Sequence, residues 1–186
     1  MTMILASLNV PARADGGTPL RLVPATDAVE IGPAGFAAPA ADGPHDDGAF
    51  AHALYAYPTL HHAFWRTVRA QARAAAPDAP LPAAAFDEHL ALDGVQESQL
   101  WIGDLLRFAD CTLAVSAPRL PDLRFNATLG FAHAAKMVAQ SRWCGFWLAV
   151  RRPGRLAAGE AFELVPGPRA TGLVELFRAR TSGVGY

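Results

Sequence analysis

The sequence predicts a closed, strand-dominated domain with a few flanking α-helices. Short apolar segments recur along the whole chain, and Gly, Pro and Asp residues punctuate them as turns would. Only two segments space their apolar residues as a helix does. Many short strands combined with two helices favour a sheet that closes on itself. With 186 residues, the chain is long enough for one such domain with a sizeable core.

The strands before the first helix are predicted from apolar runs that end at turn residues. These runs are residues 3–10, 20–23, 28–31 and 53–57. Between the last two runs, residues 32–48 are rich in Gly, Pro, Ala and Asp and have no periodicity. That composition predicts a long loop. Pro58 follows the last run and suits the first turn of a helix.

The first helix is predicted over residues 59–75 and the second over residues 127–140, where Asn126 can cap the N-terminus. In each, apolar side chains recur three or four residues apart and predict the buried face. For the first helix these are Leu60, Ala63, Phe64 and Val68, and for the second Leu129, Ala132, Met137 and Val138.

The later strands follow from the same pattern of apolar runs and turns. They are predicted at residues 100–108, with an interruption at Gly103-Asp104, and at residues 111–115, 145–150, 162–165 and 172–177. The turn Ala109-Asp110 predicts that the first two pair with each other. Residues 145–150 are apolar on both faces, which is typical of a central strand. Residues 83–92 fit neither a helix nor a strand clearly.

Composition excludes some classes of function. The net charge is −1 and 18% of the residues are charged, so no field for nucleic acid or a membrane surface is expected. No apolar run reaches the length of about 18 residues that a membrane helix needs. The N-terminus lacks the basic segment of a signal peptide. Cys111 and Cys144 stand in separate apolar segments, which predicts two buried thiols in a reducing, cytoplasmic location.

The stretch from Val115 to Asn126 is the candidate centre of function. Pro118 and Pro121 fix the backbone and remove two donors, which predicts a stiff loop outside the sheet. A stiff loop at a strand end can hold side chains in a fixed geometry. It carries Arg119, Asp122 and Arg124. The alternative is a surface turn in which an Arg–Asp ion pair braces the loop.

Five segments of the sequence together resemble the MOSC domain, a module shared by molybdenum-cofactor sulfurase C-termini and amidoxime-reducing proteins. The segments are A-L-Y-A-Y-P at 53–58, F-D-E-H-L at 86–90, D-G at 93–94 with I-G-D at 102–104, V-S-A-P-R-L-P at 115–121, and 145–165. The S-x-P-R-x-P element placed after I-G-D is the most specific. The pattern is most similar to stand-alone, YiiM-like bacterial members and spans residues 48–165. The resemblance implies a single domain over 1–186, a MOSC-type β-barrel with flanking helices.

The sequence departs from the family pattern in the expected pocket. The family carries a cysteine after S-x-P-R-x-P, which ligates molybdenum or carries sulfur, and Asp122 stands there in this sequence. A carboxylate is a hard ligand and cannot hold a persulfide. The family's G-E-N appears as Asp87-Glu88-His89, and its H-G-G-x-D appears as residues 47–51 without the histidine and the aspartate. The helical C-terminal extension of YiiM-like relatives is expected to be absent. The cofactor is therefore left open, although the resemblance implies a molybdenum cofactor.

The resemblance places a set of acidic, imidazole and basic groups in the pocket. We expect acid–base catalysis by Asp122, Glu88 and His89, small-molecule binding by Arg119, Arg124, His61, Tyr57 and Asp47, and no metal ligand set. Three functions follow from these expectations. The first is a repurposed enzyme acting on a small molecule, with anions among the candidates. The second is a non-catalytic module that binds a ligand or a partner. The third is the molybdenum-dependent reductase or sulfur carrier of the family.

Overall fold

The computed structural model describes residues 2–12, 21–36 and 50–182 of the chain. Its strands are β1 (Met3–Ala12), β2 (Arg21–Pro24), β3 (Val29–Gly32), β4 (Gly35–Phe36), β5 (Leu54–Pro58), β6 (Leu90–Asp93), β7 (Leu105–Arg107), β8 (Thr112–Pro118), β9 (Phe146–Arg152), β10 (Gly154–Leu156) and β11 (Ala161–Val165). Its helices are α1 (His62–Gln71), α2 (Arg124–Leu129), α3 (Ala134–Ser141) and α4 (Leu173–Thr181), with 3₁₀ turns at Thr59–His61 and Glu97–Gln99.

Seven of these strands form a closed β-barrel. Their order is β11-β7-β8-β9-β5-β6-β1, and β1 closes the barrel by pairing antiparallel with β11. The pairing of β5 with β6 is parallel, with Ala56 opposite Leu90. The predicted fold class, a mainly β barrel with a few flanking helices, is therefore confirmed. In the described part of the chain, no helix has the length and apolar character needed to cross a membrane.

Two hydrophobic clusters hold the fold together. The first fills the barrel with aliphatic side chains and includes Leu5, Leu54 and Leu148. The second lies between the barrel and its helices and contains the large aromatic residues Tyr57 and Trp65. Helices on one side of a barrel need such a second cluster, because their apolar faces must be covered. The site described below borders this second cluster.

The segment predicted as a long loop is partly a strand. Gly35 and Phe36 form β4, which pairs with β3, and β10 completes a small three-stranded sheet beside the barrel. Residues 37–49 lie outside the described residues. A strand of two residues carries no periodicity, so the sequence pattern could not predict it.

The first helix is shorter than predicted and buries a different face. It ends at Gln71, and Leu60 and Phe64 of the predicted apolar face are exposed. Trp65 is fully buried instead, because its indole N–H donates a 2.7 Å hydrogen bond to the Tyr57 hydroxyl. Burying a Trp that has a partner for its N–H covers more apolar area than burying a Leu.

The second predicted helix is two helices, α2 and α3. Gly130 ends α2 with a left-handed backbone (φ 80°), which breaks the helix. Asn126 lies inside α2, so the prediction that it caps that helix is wrong. Its side-chain oxygen accepts a 2.9 Å hydrogen bond from the Ala135 N–H in the first turn of α3. Ala132, predicted to point inward, is exposed in the connection between the two helices.

The strands predicted at residues 172–177 and 100–108 differ from the structure. Residues 173–177 of the segment predicted at 172–177 belong to helix α4, in which Leu173 and Phe177 are buried one turn apart. The spacing of these two residues was the helical signal that the prediction missed. Strand β7 covers only three residues of the predicted 100–108 and begins directly after the predicted interruption at Gly103-Asp104, where Gly103 has a φ of 91°. Before the interruption, Trp101 pairs only as an isolated bridge.

Strand β8 is longer than predicted and brings the candidate site to the barrel. It continues to Pro118, which lies opposite Phe146 of β9, so the prediction that this proline lies outside the sheet is wrong. A proline is tolerated there because it is the last residue of the strand and ends the ladder of hydrogen bonds. Pro58 likewise ends β5 rather than starting a helix. The stiff loop predicted after the strand therefore begins at Arg119.

Candidate functional site

An open cleft of about 770 Å³ lies where the loop after β8 meets the segment before β6. Its walls combine basic, acidic and apolar side chains. They are contributed by Pro11, Arg21, Leu22, residues 82–85, Asp87, His89, Arg119, Asp122, Arg124, Thr128 and Trp147. The sequence pattern thus predicted four of the residues that meet here, namely His89, Arg119, Asp122 and Arg124.

Arg119 is the buried cation of the cleft, with 6% of the residue exposed. Its Nη1 donates a 2.7 Å hydrogen bond to the Phe86 carbonyl. Its guanidinium carbon lies 4.7 Å from the centre of the Tyr55 ring and 4.5 Å from that of Phe125. Contacts of this kind stabilise a partly desolvated cation and fix its orientation. The guanidinium is thus held in place before any ligand arrives.

Two carboxylates flank the free end of this guanidinium. Arg119 Nη2 lies 3.6 Å from Asp87 Oδ2 and 3.6 Å from Asp122 Oδ2. These separations allow attraction between the charges but exceed a good hydrogen bond. Both carboxylates are partly open to solvent, at 43% and 49% exposure of their side chains. Asp122 also accepts a 2.8 Å hydrogen bond from the Arg124 backbone N–H through Oδ1.

His89 lines the cleft with its ring held in a fixed orientation. Its Nδ1 accepts a 2.9 Å hydrogen bond from the backbone N–H of Tyr55. Because a backbone N–H can only donate, Nδ1 carries no proton, and the neutral ring holds its proton on Nε2. Burial, together with the nearby charge of Arg119, lowers the pKa of His89 to about 4. His89 is therefore a neutral hydrogen-bond donor near pH 7.

Glu88, predicted as a catalytic residue, is buried behind the cleft and does not line it. Its Oε2 accepts a 2.8 Å hydrogen bond from the Phe86 N–H. Burial is the main reason that its pKa rises to about 7, while hydrogen bonds from the backbone oppose the shift. The Phe86 residue is thus held on both sides, by Glu88 at its N–H and by Arg119 at its carbonyl.

His61 and Tyr57, predicted to bind the substrate, do not line the cleft either. His61 is buried, and its Nε2 lies 2.8 Å from Glu97 Oε2. The Tyr57 hydroxyl accepts the Trp65 hydrogen bond and donates one of 3.2 Å to the Trp143 carbonyl. Both side chains are thus engaged by other residues of the protein, and Tyr57 belongs to the second hydrophobic cluster. Asp47, the remaining predicted residue, lies outside the described residues.

Three charged or aromatic residues of the cleft were not predicted from the sequence: Asp87, Arg21 and Trp147. Asp87 could have been found, because it adjoins Glu88 and His89 in one segment. It has a left-handed backbone (φ 57°), which turns successive side chains to unexpected sides. Arg21 and Trp147 come from distant strands, so only the closed barrel brings them here.

The side chains of the cleft do not fit the molybdenum chemistry that the family resemblance implies. Among the described residues, no thiol lines the cleft, because Cys111 and Cys144 are fully buried. Burial raises the pKa of Cys111 to about 11 and that of Cys144 well above its usual range. A thiol must lose its proton before it can ligate a metal or carry sulfur. No described group of three or more His, Cys, Asp or Glu side chains is arranged to hold a metal ion.

Comparison with known families accounts for the barrel. The family model for the MOSC domain matches residues 42–163. The chain belongs to the MOSC family. Protein YiiM of Escherichia coli is 32% identical to this MOSC protein over 114 residues, and the uncharacterized protein YflK of Bacillus subtilis is 31% identical over 113 residues. Each match covers 61% of this chain and 48% of the relative, so the chain spans about half the length of these curated relatives.

The fold of this MOSC protein agrees with that of a solved family structure. YiiM from Geobacillus stearothermophilus superposes with a TM-score of 0.75 and 23% identity, over 97% of this chain and 84% of that protein. At this level of identity the likeness establishes the fold alone. It confirms the expected resemblance to stand-alone YiiM-like members, while the function must be argued from the cleft.

Proposed function

We propose that this MOSC protein binds a small, oxygen-rich anion in the cleft. One observation carries the proposal: the guanidinium of Arg119 is fixed by Phe86 and two aromatic rings, while its Nη2 faces the cleft. A planar guanidinium suits a carboxylate or a phosphate group, which can accept two parallel hydrogen bonds. Because the orientation is set in advance, little conformational entropy is lost on binding.

The surrounding groups support an anionic ligand of small size. His89 adds a fixed N–H donor, and Arg21 and Arg124 add two more positive charges to the walls. Against these stand the two negative charges of Asp87 and Asp122. The three arginines and two aspartates give the cleft a formal net charge of +1, with His89 neutral. Trp147 and the neighbouring prolines offer apolar surface for the rest of the ligand.

A second candidate function is acid–base catalysis on the bound molecule, with Asp122 as the reacting group. The specific support is its position: Asp122 Oδ2 lies 3.6 Å from Arg119 Nη2, at the place proposed for the anion. A molecule bound to Arg119 Nη2 would therefore lie beside the Asp122 carboxylate, the position that a general acid or base needs. Glu88 and His89 fit this chemistry less well, since one is buried and the other is held as a neutral donor.

The molybdenum-dependent activity of the family is not proposed for this chain, because the donor groups of the cleft do not suit it. Two buried free thiols favour a reducing environment, so we propose a cytoplasmic location. A cleft of this size and mixed charge favours a small molecule over nucleic acid as the partner.

The binding proposal is tested by isothermal titration with pentanoate, glutarate and inorganic phosphate. We expect at least one of these anions to bind to the native protein. Arg124→Gln should weaken that binding by about two- to fivefold, which is the effect expected when a partly exposed ion pair between protein and ligand is lost. Arg124 is exposed, so this variant should fold normally. Arg119→Lys should weaken binding further, since lysine cannot reproduce the bidentate geometry.

The control is Arg107→Gln, which removes a positive charge that pairs with Glu163 and does not line the cleft. It should bind the anions as the native protein does. If none of the three anions binds, or if both cleft variants bind as tightly as the control, the proposal is overturned.

A further inference from the structure

Asp87 is held in the cleft wall by the unusual backbone conformation of residues 84–87. Ala84 and Asp87 have φ values of 52° and 57°, in the left-handed region that non-glycine residues seldom adopt. The Asp87 N–H donates a 2.9 Å hydrogen bond to the Ala84 carbonyl. Phe86 between them is held by Glu88 and Arg119. The carboxylate of Asp87 therefore keeps its place beside Arg119.

Asp87 and Asp122 differ in what remains open to a ligand. One oxygen of Asp122 is already occupied by the Arg124 N–H. Among the described residues, the carboxylate of Asp87 accepts no hydrogen bond and has only the 3.6 Å ion pair with Arg119. Asp87 is also 43% exposed on the cleft side, so a ligand can approach it. It is thus the acceptor in the cleft with the most unused capacity.

The position of Asp87 weakens the binding of an anion that carries no positive charge. A carboxylate or phosphate that reaches Arg119 Nη2 has the negative charge of Asp87 as a close neighbour, because both approach the same nitrogen. Like charges at such separation repel, and only part of the repulsion is screened by water. A ligand that also carries a cationic group near its anionic group would instead be attracted by the Asp87 carboxylate.

We infer that the cleft selects zwitterionic ligands of the ω-amino-acid class, with the carboxylate on Arg119 and the ammonium group against Asp87. The inference rests on the proposed anion binding and names the class of ligand. Asp87 is then the residue that determines specificity. Arg119 and the His89 N–H supply the attraction for the anionic end, which any small carboxylate shares.

The test compares pairs of molecules that differ only at one end. Glycine, β-alanine and 4-aminobutyrate are titrated against propionate, butyrate and pentanoate, in which a methyl group replaces the ammonium group. We expect at least one amino acid to bind about fivefold more tightly than its partner, the upper scale for a half-exposed ion pair. Asp87→Asn should reduce that ratio to about one and should slightly strengthen fatty-acid binding. Asparagine is well tolerated at positive φ, so this variant should fold.

Glu163→Gln is the matched control, because it removes one exposed carboxylate that does not line the cleft. It should leave the ratio unchanged. Equal binding of every amino acid and its partner, or a ratio that survives Asp87→Asn, would overturn the zwitterion inference and leave anion binding intact. If neither set binds and glutarate and phosphate also fail, anion binding falls, and the inference falls with it.

Discussion

The imidazole of His89 takes part in the strand pairing of the barrel through Tyr55. The backbone N–H of Tyr55 donates a 2.9 Å hydrogen bond to His89 Nδ1, and the backbone N–H of His89 donates one of 2.8 Å to the Tyr55 carbonyl. The side chain thus accepts a hydrogen bond that a strand carbonyl would normally accept. This contact fixes both the tautomer and the direction of the ring at the edge of the cleft.

The first prediction concerns the protonation of His89. Its pKa in the folded protein is lowered to about 4, so the ring should stay neutral with its proton on Nε2 down to about pH 5. Nitrogen-15 NMR of the imidazole should show an unprotonated Nδ1 across pH 5–8. A ring that titrates near pH 6.5, as an exposed histidine does, would contradict the hydrogen bond to Tyr55.

The second prediction is that Glu88 and His89 have opposite effects on the dependence of stability on pH. The pKa of Glu88 is raised to about 7, so its ionisation removes stability as the pH rises from about 4.5 to 7. The pKa of His89 is lowered to about 4, so protonation of the unfolded state removes stability as the pH falls from about 6.5 to 4. The two slopes largely cancel in native protein between pH 4.5 and 6.5.

Single variants should separate these two slopes. In Glu88→Gln, the free energy of unfolding should rise relative to native protein by up to about 3 kcal/mol as the pH increases from about 4.5 to 7. In His89→Gln, relative stability should rise by a similar amount as the pH falls from about 6.5 to 4. Urea unfolding at several pH values measures both. Difference curves that are flat for both variants would show that neither group is perturbed.

The third prediction concerns Asp122. Asp122→Asn keeps the oxygen that accepts the Arg124 N–H, so stability should change by less than about 1 kcal/mol. It removes a negative charge 3.6 Å from Arg119 Nη2, so anions should bind more tightly. If Asp122 instead acts as the acid–base group of an enzyme, the rate with its substrate should fall by about 100-fold or more.

Asp122→Ala provides the comparison. It removes the same charge and also the hydrogen bond from the Arg124 N–H. Asp122→Ala should therefore be less stable than Asp122→Asn by about 1 kcal/mol. Thermal melts of the two variants side by side measure this difference. Identical melts would show that the contact with Arg124 contributes nothing.

The fourth prediction concerns molybdenum. Because Asp122 stands in the cleft and both thiols are buried, purified protein should contain far less than one molybdenum per chain. Elemental analysis and pterin fluorescence after acid oxidation measure this. We expect Asp122→Cys to remain without molybdenum, because the neighbouring positions also differ from the family pattern. One equivalent of molybdenum in the native protein would refute the argument from donor groups.

The fifth prediction tests the tight contact behind the cleft at Gly145, whose φ is 63°. A Cβ there would lie 2.5 Å from both the Ala56 carbonyl oxygen and the Tyr55 hydroxyl. Gly145→Ala should therefore cost about 3 kcal/mol or more, from backbone strain and overpacking together. Gly159→Ala is the control, since its φ is 88° but the space around it is open, and it should cost only about 1–2 kcal/mol. Equal losses in the two variants would contradict the packing argument.

Local patterns predicted the barrel strands well where apolar residues and turns alternate, as in β1, β5 and β9. They failed where the environment reverses a local preference. Trp65 is buried where Leu60 and Phe64 were predicted to be, because its indole N–H donates a hydrogen bond to the Tyr57 hydroxyl. Leu173 and Phe177 carry a helical spacing that is too short to stand out from a strand in one sequence.

The sequence by itself determined the family, the barrel and the segment after β8 that carries Arg119, Asp122 and Arg124, because these depend on order and spacing along the chain. Only the tertiary structure decided which groups share the cleft. The left-handed backbone at Asp87 turns that residue into the cleft and leaves Glu88 behind it. Burial is a property of the closed barrel, so the shifted pKa of Glu88 could not be predicted from sequence.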